Sequence, residues 1–174
     1  MDESKRSHIM SMIKSKGTKP EMLVRRYLFA HGFRYRVNVR TLPGTPDIVL
    51  RKYRTAIFVH GCFWHGHDCG DFRPPKTRVE FWTAKISRNR ERDLQARERL
   101  RQLGWRTMVI WGCQLKPGVR EETLAEMVYL LGKALAEKLS AKPPKPYILD
   151  DEAQAPRIAA EEALPYPKSH SDKR

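Results

Sequence analysis

Histidines and cysteines crowd together in the twelve residues from Phe58 to Cys69. This stretch, FVHGCFWHGHDC, holds three of the six histidines and two of the three cysteines of the chain. Cys62, His67 and Cys69 are spaced closely enough to bind one metal ion, and Cys113 would complete the set. Thiolate and imidazole groups in a closed set of four are typical of structural zinc, because no position remains for substrate. The spacing therefore predicts a Cys3His zinc site.

A plainer interpretation is that the cysteines are ordinary buried thiols and the histidines are solvated. The spacing Cys-x4-His-x-Cys is not a common zinc-finger pattern. All three cysteines fit one site, however, and this favours metal binding.

Asp47 is a candidate of a different chemical type. It follows Pro46 and opens an apolar run, and His60 ends the next apolar run. An aspartate at the mouth of one strand, beside a strand that carries polar groups, is the layout of nucleases that hold Mg²⁺ against a phosphodiester. The pattern is weak by itself, since an ordinary turn aspartate also explains it.

The elements that must position these residues follow from local signals. Thr18 and Glu21 match a capping box for a helix that His31 and Gly32 would end, so the plain role of Glu21 is a helix cap. Alternation of apolar and basic residues predicts a half-exposed strand over 33–37, and apolar runs predict strands over 47–50, 56–59 and 105–111. Helical spacing predicts helices over 78–103 and 121–139. A weak helix over 3–15 would be either an arm lying on DNA or a poorly ordered terminus, and the composition does not decide between them.

The charge of the chain points to a polyanionic partner. Residues 1–140 hold 28 basic and 14 acidic side chains, whereas residues 141–174 hold six of each, so the net charge of +14 belongs to the first part. DNA or RNA is the natural partner of such a domain. A solubility charge or a ribosome-associated surface is the alternative.

Composition also predicts the organisation of the chain. Residues 1–140 are expected to form one domain, with 1–17 as an N-terminal arm, and residues 141–174, with six of the twelve prolines, a flexible tail. The sequence has no run of about 18 apolar residues and no apolar signal-peptide core. The odd number of cysteines argues against a closed disulfide set, and metal binding by thiolates suggests a reducing compartment. We therefore expect a cytoplasmic protein without a membrane partner.

Four segments together resemble the very-short-patch repair (Vsr) DNA mismatch endonuclease family. They are LPGTPD at 42–47, FVHGCFWH at 58–65, RVEFW at 78–82 and LGW at 103–105. The likeness runs from about residue 6 to about residue 116. It implies an α/β fold of the restriction-endonuclease-like, PD-(D/E)xK type, with a mixed central sheet flanked by helices and a structural zinc site. It also implies a Mg²⁺-dependent enzyme that nicks one strand beside the T of a T·G mismatch, such as deaminated 5-methylcytosine leaves, to start very short patch repair.

The resemblance also assigns roles to individual residues. Asp47 and the backbone carbonyl of Val59 would hold Mg²⁺, His65 would act as general base, and Glu21 and His60 would support the water shell of the metal. The zinc ligands would again be the same four residues. Aromatic side chains would enter the base stack, and Met10 would approach from the minor groove; the aromatic residues are Phe63, Trp64 and Trp82.

Some features separate this chain from the family pattern or from its fold relatives. Many nucleases of this fold have an acidic residue and a lysine where this chain has Phe58 and His60, so a backbone carbonyl becomes plausible as a metal ligand. Gly66 and Asp68 interrupt a run of histidines that is unbroken in a family example. We expect activity to survive this change, because His65 and His67 are retained.

Two other functions remain open at the level of sequence. One is a non-catalytic, zinc-stabilised DNA-binding module, and the other is a restriction or recombination nuclease of the same fold. For the favoured function we expect a monomer acting on double-stranded DNA with a T·G mismatch, functionally linked to a DNA cytosine methyltransferase.

Overall fold

The computed structural model describes residues 16–141. Residues 1–15 of the predicted N-terminal arm, including Met10, and all of the predicted tail after residue 141 lie outside the described residues. The elements run in the order α1 (Lys19–Ala30), β1 (Arg36–Val37), β2 (Ile48–Leu50), β3 (Thr55–His60), α2 (Cys62–His65), α3 (Val79–Gln102), β4 (Arg106–Trp111) and α4 (Arg120–Ser140). A short 3-10 helix, Gly112–Leu115, follows β4.

The four strands form one mixed sheet in the order β1-β2-β3-β4. β1 with β2 and β2 with β3 are antiparallel, whereas β3 and β4 are parallel. A parallel pair needs a long crossover, and here the crossover consists of α2, a loop and α3. The predicted mixed α/β architecture is therefore confirmed.

Helices cover both faces of the sheet. On one face, Ile57 of β3 packs with α1 and α4 in the larger core cluster, through residues such as Leu28 and Leu131. On the other face, Ala56 and Phe58 pack against Leu100 of α3. Alternate residues of β3 thus point into different cores, and this explains why its apolar run is nearly continuous.

The predicted start of the first helix is confirmed in detail. Thr18 Oγ1 accepts a hydrogen bond from Glu21 N–H, and the Glu21 side chain accepts one from Thr18 N–H. Pro20 lies in the first turn, where its missing N–H costs nothing. α1 therefore begins where the sequence places it.

The first predicted strand is wrong in extent. Only Arg36 and Val37 pair with β2, and both are exposed. Phe33 is instead buried and packs on the ring of Tyr53, 5.1 Å away between centroids. The alternation of residues 33–37 predicted a half-exposed strand, but burial of Phe33 in the core replaces strand pairing there.

The turn before β2 brings the LPGTPD segment onto α3. Gly44 has φ of +73°, and a Cβ atom at this position would lie 2.6 Å from Ala96 Cβ. Glycine is required both for the left-handed backbone and for the close approach. The contact fixes the segment that ends in Asp47 against the helix that carries Asp93.

No helix among residues 16–141 is both long enough and apolar enough to span a membrane.

Candidate active site and metal centre

One cleft of about 810 Å³ contains most of the predicted catalytic residues. Asp47 enters it at the start of β2, and Val59 and His60 enter it at the end of β3. Glu21 comes from α1, and His65 ends α2. Basic side chains also line the cleft, and these are Lys16, Lys85 and Arg92.

Asp47 is held by the neighbouring strand. Its Oδ2 accepts a hydrogen bond of 2.8 Å from Val59 N–H, so Asp47 lies against the end of β3, where Val59 also lines the cleft. Burial raises the pKa of Asp47, whereas the Val59 N–H and the positive charge of Arg25 act in the opposite direction. A partly buried carboxylate beside a backbone carbonyl is a donor set of hard oxygens, which fits Mg²⁺.

His65 is oriented by a carboxylate that the sequence did not reveal. Its Nδ1 is hydrogen-bonded to Oδ2 of Asp93 on α3. Because an ionised carboxylate only accepts hydrogen bonds, Nδ1 carries the proton and Nε2 is left as a proton acceptor. This geometry suits His65 to general-base chemistry.

His60 lies directly on the His65 ring. The two imidazoles stack with their centroids 3.8 Å apart and their planes 3° from parallel, and His60 Nδ1 is 3.9 Å from Asp93 Oδ2. Burial, followed by the neighbouring His65, lowers the pKa of His60 to about 4. His60 is thus a neutral polar group at the wall of the cleft.

Glu21 is buried, and both of its carboxylate oxygens are occupied. Oε2 accepts hydrogen bonds from Gly17 N–H at 2.9 Å and from Arg25 Nη2 at 2.8 Å. Oε1 accepts from Thr18 Oγ1 at 2.9 Å and from Thr18 N–H at 3.4 Å. The capping role expected from the sequence is therefore observed. Direct contact between Glu21 and a metal ion would require one of these hydrogen-bond donors to move.

A second cluster brings together the four predicted zinc ligands. The ligand atoms of Cys62, His67, Cys69 and Cys113 all lie within 4.8 Å of one another, and Cys113 Sγ is 3.5 Å from His67 Nδ1. Burial, together with the nearby Cys62 and Cys69, raises the pKa of the Cys113 thiol to about 12. Three sulfurs this close cannot all ionise without a compensating cation. The donor set therefore fits a tetrahedral zinc ion.

Trp111 and Gly66 shape the loop between the two clusters. Trp111, at the end of β4, stacks on the His67 ring with centroids 4.0 Å apart. Gly66 ends α2 with φ of +57°, and a Cβ atom there would lie 2.8 Å from Ile86 Cγ2. A histidine at position 66 would be strained in this backbone, so the glycine is locally appropriate.

The three predicted wedge residues are neighbours, and two of them lie in a short helix that the sequence did not predict. Phe63 and Trp64 belong to the one-turn helix α2, because Gly66 in the left-handed conformation closes a helical turn. The Phe63 and Trp82 centroids are 5.2 Å apart, and those of Trp64 and Trp82 are 5.9 Å apart. Lys85 Nζ lies 5.6 Å from the Trp64 and Trp82 centroids. The three rings therefore form one partly exposed cluster, of which Trp64 reaches the cleft.

Two polar residues of α3 were missed. Asp93 orients His65, and Asn89 Nδ2 donates a 2.8 Å hydrogen bond to the Trp64 carbonyl. Both lie on the helical stripe that also carries the buried Ile86, Ala96 and Leu100. Polar residues within a buried stripe were the available signal, although it is weak in a helix with so many charges.

Comparison with known proteins adds independent information. The family model described as DNA mismatch endonuclease Vsr matches residues 1–71. The type II nicking enzyme V.NmeAIP of Neisseria meningitidis serogroup A is 51% identical over 113 residues, which cover 65% of this chain and 81% of that protein. The DNA mismatch endonuclease Vsr of Escherichia coli is 44% identical over 115 residues, which cover 66% of this chain and 74% of that protein. The type II nicking enzyme V.XorIIP of Xanthomonas oryzae is also 44% identical over 115 residues, and 85% of it is covered.

A mixed α/β fold, a polar cleft and these relatives define an enzyme of the DNA endonuclease class. The chain belongs to the Vsr DNA mismatch endonuclease family. The family expected from the sequence motifs is thereby confirmed.

Proposed function

We propose that this enzyme is a Mg²⁺-dependent, strand-specific endonuclease that nicks DNA beside the T of a T·G mismatch and so starts very short patch repair. Family membership supports the mismatch substrate. The observation that carries the catalytic part is the joint presence of Asp47 and a carboxylate-oriented His65 in one cleft.

The proposal gives each residue of the cleft a task. Asp47 and the Val59 carbonyl would hold Mg²⁺, which polarises the scissile phosphate and favours an ionised water. His65 Nε2 would accept the proton of the attacking water, while Asp93 holds the ring in the required tautomer. His60, which is neutral, would orient water near the metal. Glu21 would also support the water shell of the metal while its carboxylate is held by hydrogen bonds.

We also propose that Cys62, His67, Cys69 and Cys113 hold a structural zinc ion. The charge balance among the three sulfurs supports this. The ion would join the loop after α2 to the turn after β4, and so fix the end of α2 where His65 lies.

The aromatic cluster is the proposed wedge for the mismatch. Phe63, Trp64 and Trp82 are partly exposed and adjoin the cleft, where apolar rings can enter between unstacked base pairs. A mismatched step is easier to open than a matched one, so insertion would help to select the substrate. Met10 would contact the minor groove from the N-terminal arm.

The wider organisation is proposed on the same basis. The fold would be of the restriction-endonuclease-like, PD-(D/E)xK type, since Asp47 precedes one sheet strand and the adjacent strand would supply the second metal contact. Residues 1–140 would form the endonuclease domain, acting as a monomer in the cytoplasm, with residues 141–174 as a tail. A DNA cytosine methyltransferase would create the modified base whose deamination yields the mismatch.

A strand-resolved nicking assay tests the substrate assignment. Duplexes of one sequence would carry T·G, matched T·A or matched C·G at the same position, with a different label on each strand. With Mg²⁺, we expect one nick, in the T-containing strand of the T·G duplex. Equal nicking of the matched duplexes would indicate a restriction-type nuclease, and binding without nicking would indicate a DNA-binding module.

A further inference from the structure

Arg25 is a partly buried cation for which the proposed mechanism has no task. Its side chain is 11% exposed, on the second turn of α1 behind the cleft wall. Its Nη2 donates to Glu21 Oε2 at 2.8 Å and approaches the Asp47 carbonyl oxygen at 3.4 Å. Arg25 is therefore the link between the cap of α1 and the residue that opens β2.

Stability alone explains this arrangement poorly. Among residues 16–141, Arg25 Nε is the buried side-chain polar atom without a hydrogen-bond partner. Burying a guanidinium with a donor unsatisfied has a desolvation cost, and a buried ion pair is often no more stabilising than apolar residues of similar volume. A partly buried charge that adds little stability is a candidate for a functional role.

The charges of Arg25 and Glu21 both act on Asp47. Arg25 Nη2 contacts both Glu21 Oε2 and the carbonyl oxygen of Asp47, so the two charges lie next to the residue that would bind the cation. A divalent cation bound to Asp47 would be attracted by the negative charge of Glu21 and repelled by the positive charge of Arg25. Because Arg25 and Glu21 form an ion pair, their opposite charges partly offset each other at the cleft.

We infer that Arg25 is a positioning residue that holds Glu21 in place and sets the charge presented to a divalent cation at Asp47. This inference rests on the proposed metal-binding function of Asp47. With both partners present, the cation is attracted mainly by Asp47 and the Val59 carbonyl. Loss of either partner would leave one uncompensated buried charge close to the cation.

Binding of Mn²⁺ to zinc-loaded protein tests the inference without any turnover. Mn²⁺ prefers oxygen ligands as Mg²⁺ does, and the electron paramagnetic resonance signal of free Mn²⁺ gives the dissociation constant. Arg25→Met should tighten binding by about tenfold, since one repelling charge near the cation is removed. Glu21→Gln should weaken it by about the same factor, since one attracting charge is removed.

Two further variants separate charge from shape. Arg25→Lys keeps the positive charge, and the double variant Glu21→Gln/Arg25→Met removes both charges, so both should bind Mn²⁺ about as the native chain does. Thr18→Ala loosens the cap of α1 without changing any charge. It should lower the melting temperature and leave the Mn²⁺ affinity unchanged.

The outcomes distinguish the inference from the function on which it rests. Opposite shifts in the two single variants and their cancellation in the double variant would support the role of Arg25. Asp47-dependent Mn²⁺ binding that Arg25→Met leaves unchanged or weakens would overturn this inference alone. Absence of Asp47-dependent binding in the native chain would overturn both the metal assignment and the inference.

Discussion

Asp93 determines which ring nitrogen of His65 carries the proton. A histidine at the end of a one-turn helix could present either ring nitrogen, but the carboxylate on α3 fixes the proton on Nδ1. Nε2 then remains free to accept a proton. The proposed general-base role of His65 therefore depends on the packing of two elements that are distant in sequence.

Asp93→Asn should slow single-turnover nicking of the T·G duplex while leaving DNA binding intact, because an amide no longer enforces the Nδ1 tautomer. His65→Ala should lose about 10²- to 10⁴-fold, the usual contribution of a general base. The double variant should be no slower than His65→Ala, since both changes disable one unit.

Glu98→Gln is the matched control for Asp93→Asn, as it removes an exposed carboxylate from the same helix. We expect native nicking from this control. Additive losses in the double variant would contradict the link between Asp93 and His65. Loss of zinc in His65→Ala would mean that the roles of His65 and His67 are exchanged.

Residues that act within one local motif could be predicted from the sequence, and residues that act across elements could not. Cys62, His67 and Cys69 lie within eight positions, so their type and spacing were informative. Asp93 and Arg25 are ordinary charged residues on helices rich in charge, and their partners are set by packing. Family resemblance supplied the roles of Val59 and His65, which local patterns did not contain.

The cysteine and histidine cluster brings together residues from three separate segments of the fold. Its ligand atoms come from α2, from the following loop and from the 3-10 helix after β4. A metal ion there would replace the packing that a polar loop cannot provide.

Cys113→Ser should remove bound zinc and destabilise the fold by at least about 2 kcal/mol, because the structural ion contributes folding free energy. Metal analysis and thermal unfolding of the purified protein measure the two effects. Asp68→Asn changes an exposed residue of the same loop and is the control, with zinc content and stability unchanged. Full zinc content in Cys113→Ser would show that the fourth ligand is misassigned.

Elements with a complete local signal were predicted well. The capping box of Thr18 and Glu21 marks the start of α1. Gly104, in the left-handed conformation, marks the end of α3. The short helix α2 and the short strand β1 were not predicted correctly, since each depends on a contact with a distant element. For α2 this is the approach of Gly66 to Ile86, and for β1 it is the burial of Phe33.

At the scale of the whole molecule, the positive charge of residues 1–140 should dominate affinity for DNA. The equilibrium constant is expected to fall steeply with salt, by a slope of about 0.9 for each phosphate neutralised. Arg92→Gln, at the cleft, should reduce this slope by about one unit. Lys52→Gln, in the turn at the other end of the β2 and β3 strands, is the control and should leave the slope unchanged.

Removal of residues 141–174 should leave both affinity and nicking close to native, since this segment adds no net charge. Binding and single-turnover nicking of the truncated chain would be compared with those of the full chain. A soluble truncated protein without activity would place part of the functional domain in that segment.

The most direct test of the proposed active site is single-turnover nicking of a T·G duplex by Asp47→Asn with saturating Mg²⁺. Asparagine keeps the shape of the side chain but removes the charge that attracts the metal. The nicking rate should fall by at least about a thousandfold, with DNA affinity and zinc content retained. Asp71→Asn, which removes a surface carboxylate paired with Lys116, should nick at the native rate. Native nicking by Asp47→Asn would contradict the assignment of the cleft as a metal-dependent catalytic centre.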